Sequence, residues 1–156
     1  MLIAIIALAF AASLVAVQAP TAAQAGSRTE AQRVVAYAKS HLGARFRLGT
    51  TGMRYFDCSG LVFRVYQQAG LLGRIGSNRK RAAGYYAWFK NRGMTSRSNP
   101  RVGDLIWWTK RGRIAHVGLY IGDGRALSAL TTGVRIHRVH LNSVKFLSYG
   151  HVRLDR

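Results

Sequence analysis

The spacing of apolar residues changes at Pro100, and no other feature of the sequence constrains the fold as strongly. Before this residue apolar side chains recur at helical spacing, and after it they form short alternating runs separated by turns that contain glycine. Helices followed by a meandering antiparallel sheet predict one α+β domain. The expected helices span about 30–42, 58–69 and 78–91, a loop spans 44–56, and the expected strands span 102–109, 114–121, 126–130, 134–139 and 146–154.

Residues 1–25 differ in composition from the rest of the chain. Residues 2–17 are apolar except for one serine, and Ala23-Gln24-Ala25 is a small-x-small sequence of the kind that signal peptidase cleaves. We therefore expect a signal peptide over 1–25 and a mature domain over 26–156. No Lys or Arg precedes the apolar run, so an uncleaved N-terminal anchor is the alternative. Both interpretations place the domain outside the cytoplasm, either secreted or associated with the periplasm or cell wall.

The chain is strongly basic, with 24 Lys and Arg residues against 5 Asp and Glu, and none of these lies in residues 1–25. Such a surface attracts polyanions, and for an exported domain we expect anionic cell-wall polymers rather than nucleic acid. A basic composition without a specific partner is the alternative. Caps and turns account for the few acidic residues, so the sequence offers no carboxylate pair for glycoside hydrolysis. His137 and His140 alone are a weak zinc signal, and we expect no metal and no cofactor.

Cys58 is the only cysteine, and it is expected at the start of the second helix with Asp57 as the structural N-cap. A single cysteine cannot form an internal disulfide, so it is either a buried apolar side chain or a reactive thiol. The helix N-terminus predicts a lowered pKa for Cys58, although the charge of Asp57 acts in the opposite direction. The backbone N–H of Cys58 is a candidate for half of an oxyanion hole. The small residues Ser59 and Gly60 are expected to admit a substrate backbone.

A thiol nucleophile needs a base, and imidazole suits this role near neutral pH. Among the five histidines, His116 is the strongest candidate because it opens an alternating run in which the small Gly118 leaves one strand face accessible. His41 at a helix end and His151 near the C-terminus occupy ordinary surface positions. The sequence thus predicts a pair formed by Cys58 and His116.

Three ordered blocks over about residues 30–150 resemble the signature of the NlpC family of papain-like cysteine peptidases: Asp57-Cys58-Ser59-Gly60, Val102-Gly103-Asp104-Leu105 and His116-Val117-Gly118-Leu119-Tyr120-Ile121-Gly122. The resemblance implies the papain-like NlpC fold, in which the catalytic cysteine lies at the N-terminus of a helix packed on an antiparallel sheet. It also implies a secreted peptidoglycan hydrolase that cleaves stem peptides, typically after D-glutamate linked through its γ-carboxyl group. Cys58 would be the nucleophile that forms an acyl-enzyme, and His116 the base.

The third catalytic position departs from the family pattern. The family usually has a polar residue, often histidine, twelve positions after the base, where it orients the imidazole. Here that residue is Ser128. A three-residue connection over 122–124 would place Ser128 opposite Gly118 and diagonal to His116 on the same face. The further candidates for this role are Thr131, His137 and His140.

A second departure lies in the segment before the cysteine. The family commonly has a tyrosine there, whose hydroxyl helps to bind the substrate or the oxyanion. The matching residue is Phe46, which keeps the ring without the donor, and Tyr55 is a nearby source of a hydroxyl.

Several functions remain open on the sequence. The main alternative to a hydrolase is a catalytically impaired NlpC-like protein that binds anionic cell-wall polymer through its basic surface. A related amidase or transpeptidase also fits, as does a nucleic-acid-binding module that stacks bases on Trp88, Trp107 or Trp108. At least one of Trp107 and Trp108 is expected in the core, because both lie in a strand. The expected assembly state is a monomer.

Overall fold

The computed structural model describes residues 28–156, so the predicted signal peptide or anchor over 1–25 lies outside the described residues. None of the described helices is long and apolar enough to cross a membrane. The helical elements are α1 (Glu30–Ser40), α2 (Cys58–Gln68), a 3₁₀ helix (Leu72–Ile75) and α3 (Ala82–Lys90). The strands are β1 (Arg45–Phe46), β2 (Tyr55–Phe56), β3 (Thr95–Ser96), β4 (Leu105–Lys110), β5 (Arg113–Gly122), β6 (Arg125–Leu130), β7 (Gly133–Arg138) and β8 (Lys145–Gly150).

The first two helices begin at the predicted residues, and a side chain caps each of them. Thr29 caps α1 in a capping box, in which its side chain and that of Gln32 each accept the other residue's backbone N–H. Asp57 caps α2 by accepting the N–H of Gly60 at 2.6 Å. A cap of this kind contributes about 1 kcal/mol to stability. The cap of α2 makes Cys58 its first residue.

The third helix is shorter than predicted, because α3 begins at Ala82 rather than near residue 78. Gly76 and Ser77, just before this segment, have positive φ values of 89° and 60°. Arg79, which lies inside the predicted helix, instead precedes α3 and donates to Asp57 at 2.7 Å. This contact spans 22 residues of sequence, so no local pattern could have predicted it.

The main sheet has six strands in the order β3-β8-β4-β5-β6-β7, and every neighbouring pair is antiparallel. All five predicted strands are present, but β4 starts later, at Leu105, and β8 ends earlier, at Gly150, than predicted. The buried carboxylate of Asp104 lies beside both ends and accepts the backbone N–H groups of Arg101 and Val152.

The predicted loop before Cys58 contains two short parallel strands, with Phe46 of β1 opposite Phe56 of β2. Phe56 is fully buried, and the ring of His41 packs on it with a centroid distance of 4.7 Å. His41 is therefore half-buried rather than an ordinary surface residue. The carbonyl oxygen of Thr50 accepts the N–H of Asp57 at 3.2 Å. Together these contacts fix the path of the chain into α2.

The sheet buries side chains on both faces. The larger cluster lies between the helices and one face, and it includes Trp107. The smaller cluster lies on the other face, around Trp108. Both indoles are fully buried, and their N–H groups donate to the carbonyl oxygens of Ala82 and Val139. The prediction that at least one of them is in the core is confirmed, and neither is available to stack on a nucleic-acid base.

Candidate active site

Asp57 anchors the N-terminus of α2 through a fully engaged carboxylate. It accepts the N–H groups of Gly49 and Gly60, the hydroxyl of Ser59 and the guanidinium of Arg79, at distances of 2.6 to 2.9 Å. Burial by itself would raise the pKa of Asp57, but these donors hold it below its usual value. Asp57 is therefore a charged structural cap, as predicted.

Position 60 has no room for a side chain. A Cβ at this position would collide with the carbonyl oxygen of Thr50, which belongs to the segment before α2. The expectation that Gly60 admits a substrate backbone is wrong, because that segment already fills the space. Ser59 is also buried and donates to Asp57, but it still lines the groove described below.

The thiol of Cys58 is less acidic than its position at a helix start predicts. Burial raises the pKa of Cys58 above its ordinary value, and the carboxylate of Asp57 acts in the same direction. The backbone N–H groups of Val117, Ser59 and Cys58 itself lower the pKa, but by less. The predicted lowering is wrong because the protein shields the partly buried thiol from much of the water that would stabilise a thiolate. The contact with Val117 places the sulfur beside β5, next to His116.

Alkylation of Cys58 is expected to be slow and to depend steeply on pH. At pH 7 iodoacetamide should react more slowly with the folded protein than with the same protein in denaturant, because the folded thiol has the higher pKa. The measurement is the alkylation rate against pH, followed by mass spectrometry, with the denatured protein as internal control. A rate that stays constant between pH 5 and 8 would indicate a preformed thiolate and contradict this prediction.

His116 lies on β5, and its Nε2 is 2.8 Å from the Oγ of Ser128 on β6. Leu119 pairs with Leu127, and this register carries Ser128 to the position opposite Gly118. A Cβ on Gly118 would stand only 2.9 Å from the Cβ of Ser128. The predicted diagonal contact between His116 and Ser128 is confirmed, and it needs glycine at position 118. The predicted three-residue connection is wrong: Gly122 pairs with Arg125, so the turn has two residues, and a β-bulge between Tyr120 and Gly122 sets the register.

A second histidine lies behind Ser128. The Nε2 of His137 is 2.7 Å from the Oγ of Ser128, and its Nδ1 is 2.8 Å from the carbonyl oxygen of Arg138. The rings of His116 and His137 both pack on the buried indole of Trp108, with centroid distances of 5.3 and 5.7 Å. The sequence suggests His137 only as a substitute for Ser128. In the structure His116 is hydrogen-bonded to Ser128, and Ser128 is hydrogen-bonded to His137.

The signal for His137 lies in the turn between β6 and β7. Leu130 pairs with Gly133, so two residues connect the strands and Ala126 lies opposite His137. His137 is therefore diagonal to Ser128 on the same face. A two-residue turn at 131–132 therefore predicts that both side chains lie together.

Thr131 and His140, the remaining candidates for the third catalytic position, lie apart from this cluster. Thr131 is exposed and lines the groove, and none of the hydrogen bonds found within residues 28–156 joins it to His116. His140 is exposed and packs on Phe146, with a centroid distance of 5.7 Å. Across the described residues no three His, Cys, Asp or Glu side chains lie close enough together to hold a metal ion.

Both partly buried histidines are neutral at pH 7. Burial lowers the pKa of His116 from 6.5 to about 4, and His137 acts in the same direction. Burial also lowers the pKa of His137, by more than the carbonyl oxygen of Arg138 raises it. The resting site therefore holds a neutral thiol and neutral imidazoles.

The low pKa of His116 predicts a fold that loses stability in mild acid. The unfolded chain binds a proton near pH 6.5 and the folded protein only near pH 4, so stability is fully present above pH 6.5 and is lost as the pH falls towards 4. The loss from His116 alone should reach roughly 3 kcal/mol at pH 4. Denaturant unfolding at pH 7, 5.5 and 4 measures it. His116→Gln should flatten the dependence, and equal slopes in both proteins would contradict the prediction.

Cys58 and His116 line one groove with a volume of about 960 Å³. Its charged lining consists of the ion pair between Asp57 and Arg79 and of two further cations, Arg81 and Lys110. The groove is therefore electropositive and suited to a ligand that carries carboxylates.

The groove contains the ring of Phe46 but not that of Tyr55. The guanidinium of Arg47 lies 4.3 Å from the centroid of Tyr55. Alternation along β2 explains this placement, because Phe56 faces Phe46 and the preceding residue points to the opposite side. Tyr55 therefore does not replace the hydroxyl that Phe46 lacks.

A thiol at the start of a helix, packed against an antiparallel sheet that carries a histidine, defines the class of papain-like folds. Within this class, the sequence profile of the NlpC/P60 family matches residues 43–152. The chain belongs to the NlpC/P60 family.

Curated relatives share this domain. "Probable endopeptidase p60" of Listeria grayi is 39% identical over 107 residues, which cover 69% of this chain and 19% of that protein. "Probable peptidoglycan endopeptidase LytE" of Bacillus subtilis (strain 168) is 31% identical over 105 residues, which cover 67% of this chain and 28% of that protein. The chain thus matches less than a third of the length of either relative.

Solved structures confirm the papain-like α+β fold. NlpC2 from Trichomonas vaginalis has a TM-score of 0.67 at 23% identity, and the match covers 83% of this chain and 48% of that chain. RipD from Mycobacterium tuberculosis has a TM-score of 0.59 at 27% identity, with coverage of 80% and 98%. RipD is described as a non-catalytic NlpC/p60 domain protein adapted to peptidoglycan binding.

Proposed function

We propose that this domain is a cysteine endopeptidase that hydrolyses peptidoglycan stem peptides through an acyl-enzyme. The observation that carries the proposal is the shared groove of Cys58 and His116, in which Ser128 holds the imidazole at 2.8 Å. Relatives named as endopeptidases support the substrate class.

The reaction needs only groups that this groove contains. The sulfur of Cys58 attacks the scissile carbonyl carbon while its proton passes to the imidazole of His116, and the π electrons move onto the carbonyl oxygen. The backbone N–H of Cys58 stabilises that oxyanion. The imidazolium then protonates the leaving amine, and water hydrolyses the thioester with His116 as base. Because the resting pair is neutral, proton transfer accompanies the attack rather than preceding it.

The bond that we propose is the one following D-glutamate linked through its γ-carboxyl group. Such a linkage leaves the α-carboxylate of D-glutamate free. The guanidinium group of Arg81 and the amine of Lys110 line the groove and can bind it. Arg81 and Lys110 form no ion pair within the described residues, so both remain available for a ligand.

Mass spectrometry of soluble products tests this function directly. Purified protein is incubated with defined muropeptides and with intact peptidoglycan, and the masses identify the cleaved bond. Cleavage after D-glutamate supports the proposal, whereas release of the whole stem peptide from the glycan would indicate an amidase. If several wall types yield no new masses, the enzyme proposal fails.

A second candidate function is binding of anionic wall polymer without catalysis. The net charge of +19 favours it, as does the similarity to RipD. Binding of this kind weakens steeply with added salt and does not depend on the thiol. Sedimentation with purified walls over a range of salt concentrations, using the protein and its Cys58→Ala variant, distinguishes this function from hydrolysis.

We further propose that the domain acts outside the cytoplasm, where peptidoglycan lies. The apolar residues 2–17 and the following Ala23-Gln24-Ala25 support export. N-terminal sequencing of protein recovered from the culture medium and from the cell envelope tests this, and shows whether residues 1–25 have been removed.

A further inference from the structure

We propose that Ser128 and His137 act together as a positioning relay that fixes the tautomer of His116, so that Nδ1 is its unprotonated nitrogen. The hydrogen bonds from His116 through Ser128 to His137 carry this inference. Its kinetic consequence rests on the proposed hydrolase function, but the tautomer is a property of the resting protein and is measurable without substrate.

The relay is fixed at its far end by a backbone carbonyl group. The Nδ1 of His137 is 2.8 Å from the carbonyl oxygen of Arg138. A carbonyl oxygen only accepts hydrogen bonds, so Nδ1 must carry the proton. In a neutral imidazole the other nitrogen is then unprotonated, which makes the Nε2 of His137 an acceptor.

Through the hydroxyl of Ser128, the protonation of His137 determines which nitrogen of His116 carries a proton. The hydroxyl oxygen is 2.7 Å from the Nε2 of His137 and 2.8 Å from the Nε2 of His116. Because Nε2 of His137 can only accept, the single hydroxyl proton of Ser128 points to His137. The oxygen of Ser128 can then only accept from His116, whose Nε2 must therefore be protonated.

The consequence at His116 is an unprotonated Nδ1. Burial keeps both histidines neutral at pH 7, so each ring carries one proton. With that proton on Nε2, the free lone pair of His116 is on Nδ1, the nitrogen that points away from Ser128. This is the tautomer that can take a proton from Cys58.

The surroundings of the relay hold its rings in place. Ser128 is fully buried, and the indole of Trp108 packs on both histidine rings. The nitrogen of that indole is itself bonded to the carbonyl oxygen of Val139 at 2.7 Å. The imidazolium formed during catalysis keeps its Nε2–H bond to Ser128, whose dipole His137 has already oriented.

Nitrogen NMR of histidine-labelled protein tests the relay at rest. Resonances of His116 and His137 are assigned from their absence in His116→Gln and His137→Gln variants. We expect Nε2 protonated in His116 and Nδ1 protonated in His137. In His137→Leu, where the acceptor is gone, His116 should become a mixture of tautomers. The opposite tautomer in the unmodified protein, or an unchanged one in His137→Leu, would overturn the proposal.

Kinetics on a muropeptide substrate supply the second test. His137→Leu should lower kcat about tenfold with little change in KM, because one hydrogen bond to the positioning hydroxyl is lost. His137→Gln, whose side-chain oxygen can still accept from Ser128, should recover most of that loss. His140→Gln, an exposed histidine on the following turn, is the matched control and should not change kcat.

A double-mutant cycle separates a relay from two independent effects. In the Ser128→Ala background the further change His137→Leu should alter kcat less than twofold, because the hydrogen bonds that link His137 to His116 are already lost. Multiplicative losses would overturn the proposal. If the NMR tautomers are as expected but the unmodified protein hydrolyses nothing, the proposed function fails and the relay stands. If hydrolysis occurs with the opposite tautomer, the relay fails and the function stands.

Discussion

Replacing Cys58 by alanine is expected to abolish muropeptide cleavage, with a fall in kcat of about 10⁴-fold or more. The thiol is the strongest nucleophile among the side chains that line the groove, and water attacking without it lacks the covalent route. Product release measured by mass spectrometry over long incubations gives the residual rate. Cys58→Ser preserves the shape of the side chain and should be almost as inactive, because a serine hydroxyl is a far weaker nucleophile than a thiol.

The control for these two variants is their stability against denaturant. Cys58 is only partly buried, and among the described residues its side chain makes no hydrogen bond to another side chain. Both variants should therefore unfold at nearly the same denaturant concentration as the unmodified protein. Sedimentation with walls should also be preserved. Cleavage retained in Cys58→Ala would show that another group performs the chemistry and would refute the cysteine mechanism.

Replacing His116 by glutamine is expected to lower kcat by about 10³-fold. Glutamine can still donate to the Oγ of Ser128, but it cannot accept and return a proton at neutral pH. The effect should fall on kcat rather than KM, since the proton moves in the transition state. The measurement is kcat and KM for a defined muropeptide at pH 7.

The pH dependence gives this prediction a second measurement. With His116 present, kcat/KM should fall only as the pH drops through about 4, because the imidazole must be neutral to act as a base. The variant His140→Gln changes an exposed histidine and should retain the full rate. A His116→Gln protein with wild-type kcat would remove His116 from the mechanism.

Much of the candidate site can be predicted from local sequence. The spacing of apolar residues predicts the order of helices and strands, and Asp57 is recognisable as a cap because side-chain acceptors satisfy the first N–H groups of a helix. A three-residue connection predicts the contact between Ser128 and His116, and the structure reaches the same pairing through a two-residue turn and a β-bulge between Tyr120 and Gly122. These features depend on residues close together in the chain.

Long-range contacts explain the predictions that are wrong. The helical pattern places Arg79 within a helix, but Arg79 lies before the first residue of α3 and pairs with Asp57. The small size of Gly60 suggests substrate access, but the segment containing Thr50 packs there. Neither outcome has a local signal, because each partner approaches from another part of the fold.

The sequence by itself determined the class of fold, the nucleophile candidate and the base candidate, since periodicity, capping and motif order are properties of neighbouring residues. Only the tertiary structure decided the protonation states of Cys58 and His116. Burial raises the pKa of the thiol and lowers that of the imidazole, and the amount of water excluded from each group is known only once the chain has packed. The structure also decided that His137 is hydrogen-bonded to Ser128, because these hydrogen bonds form only once the three strands that carry His116, Ser128 and His137 are paired.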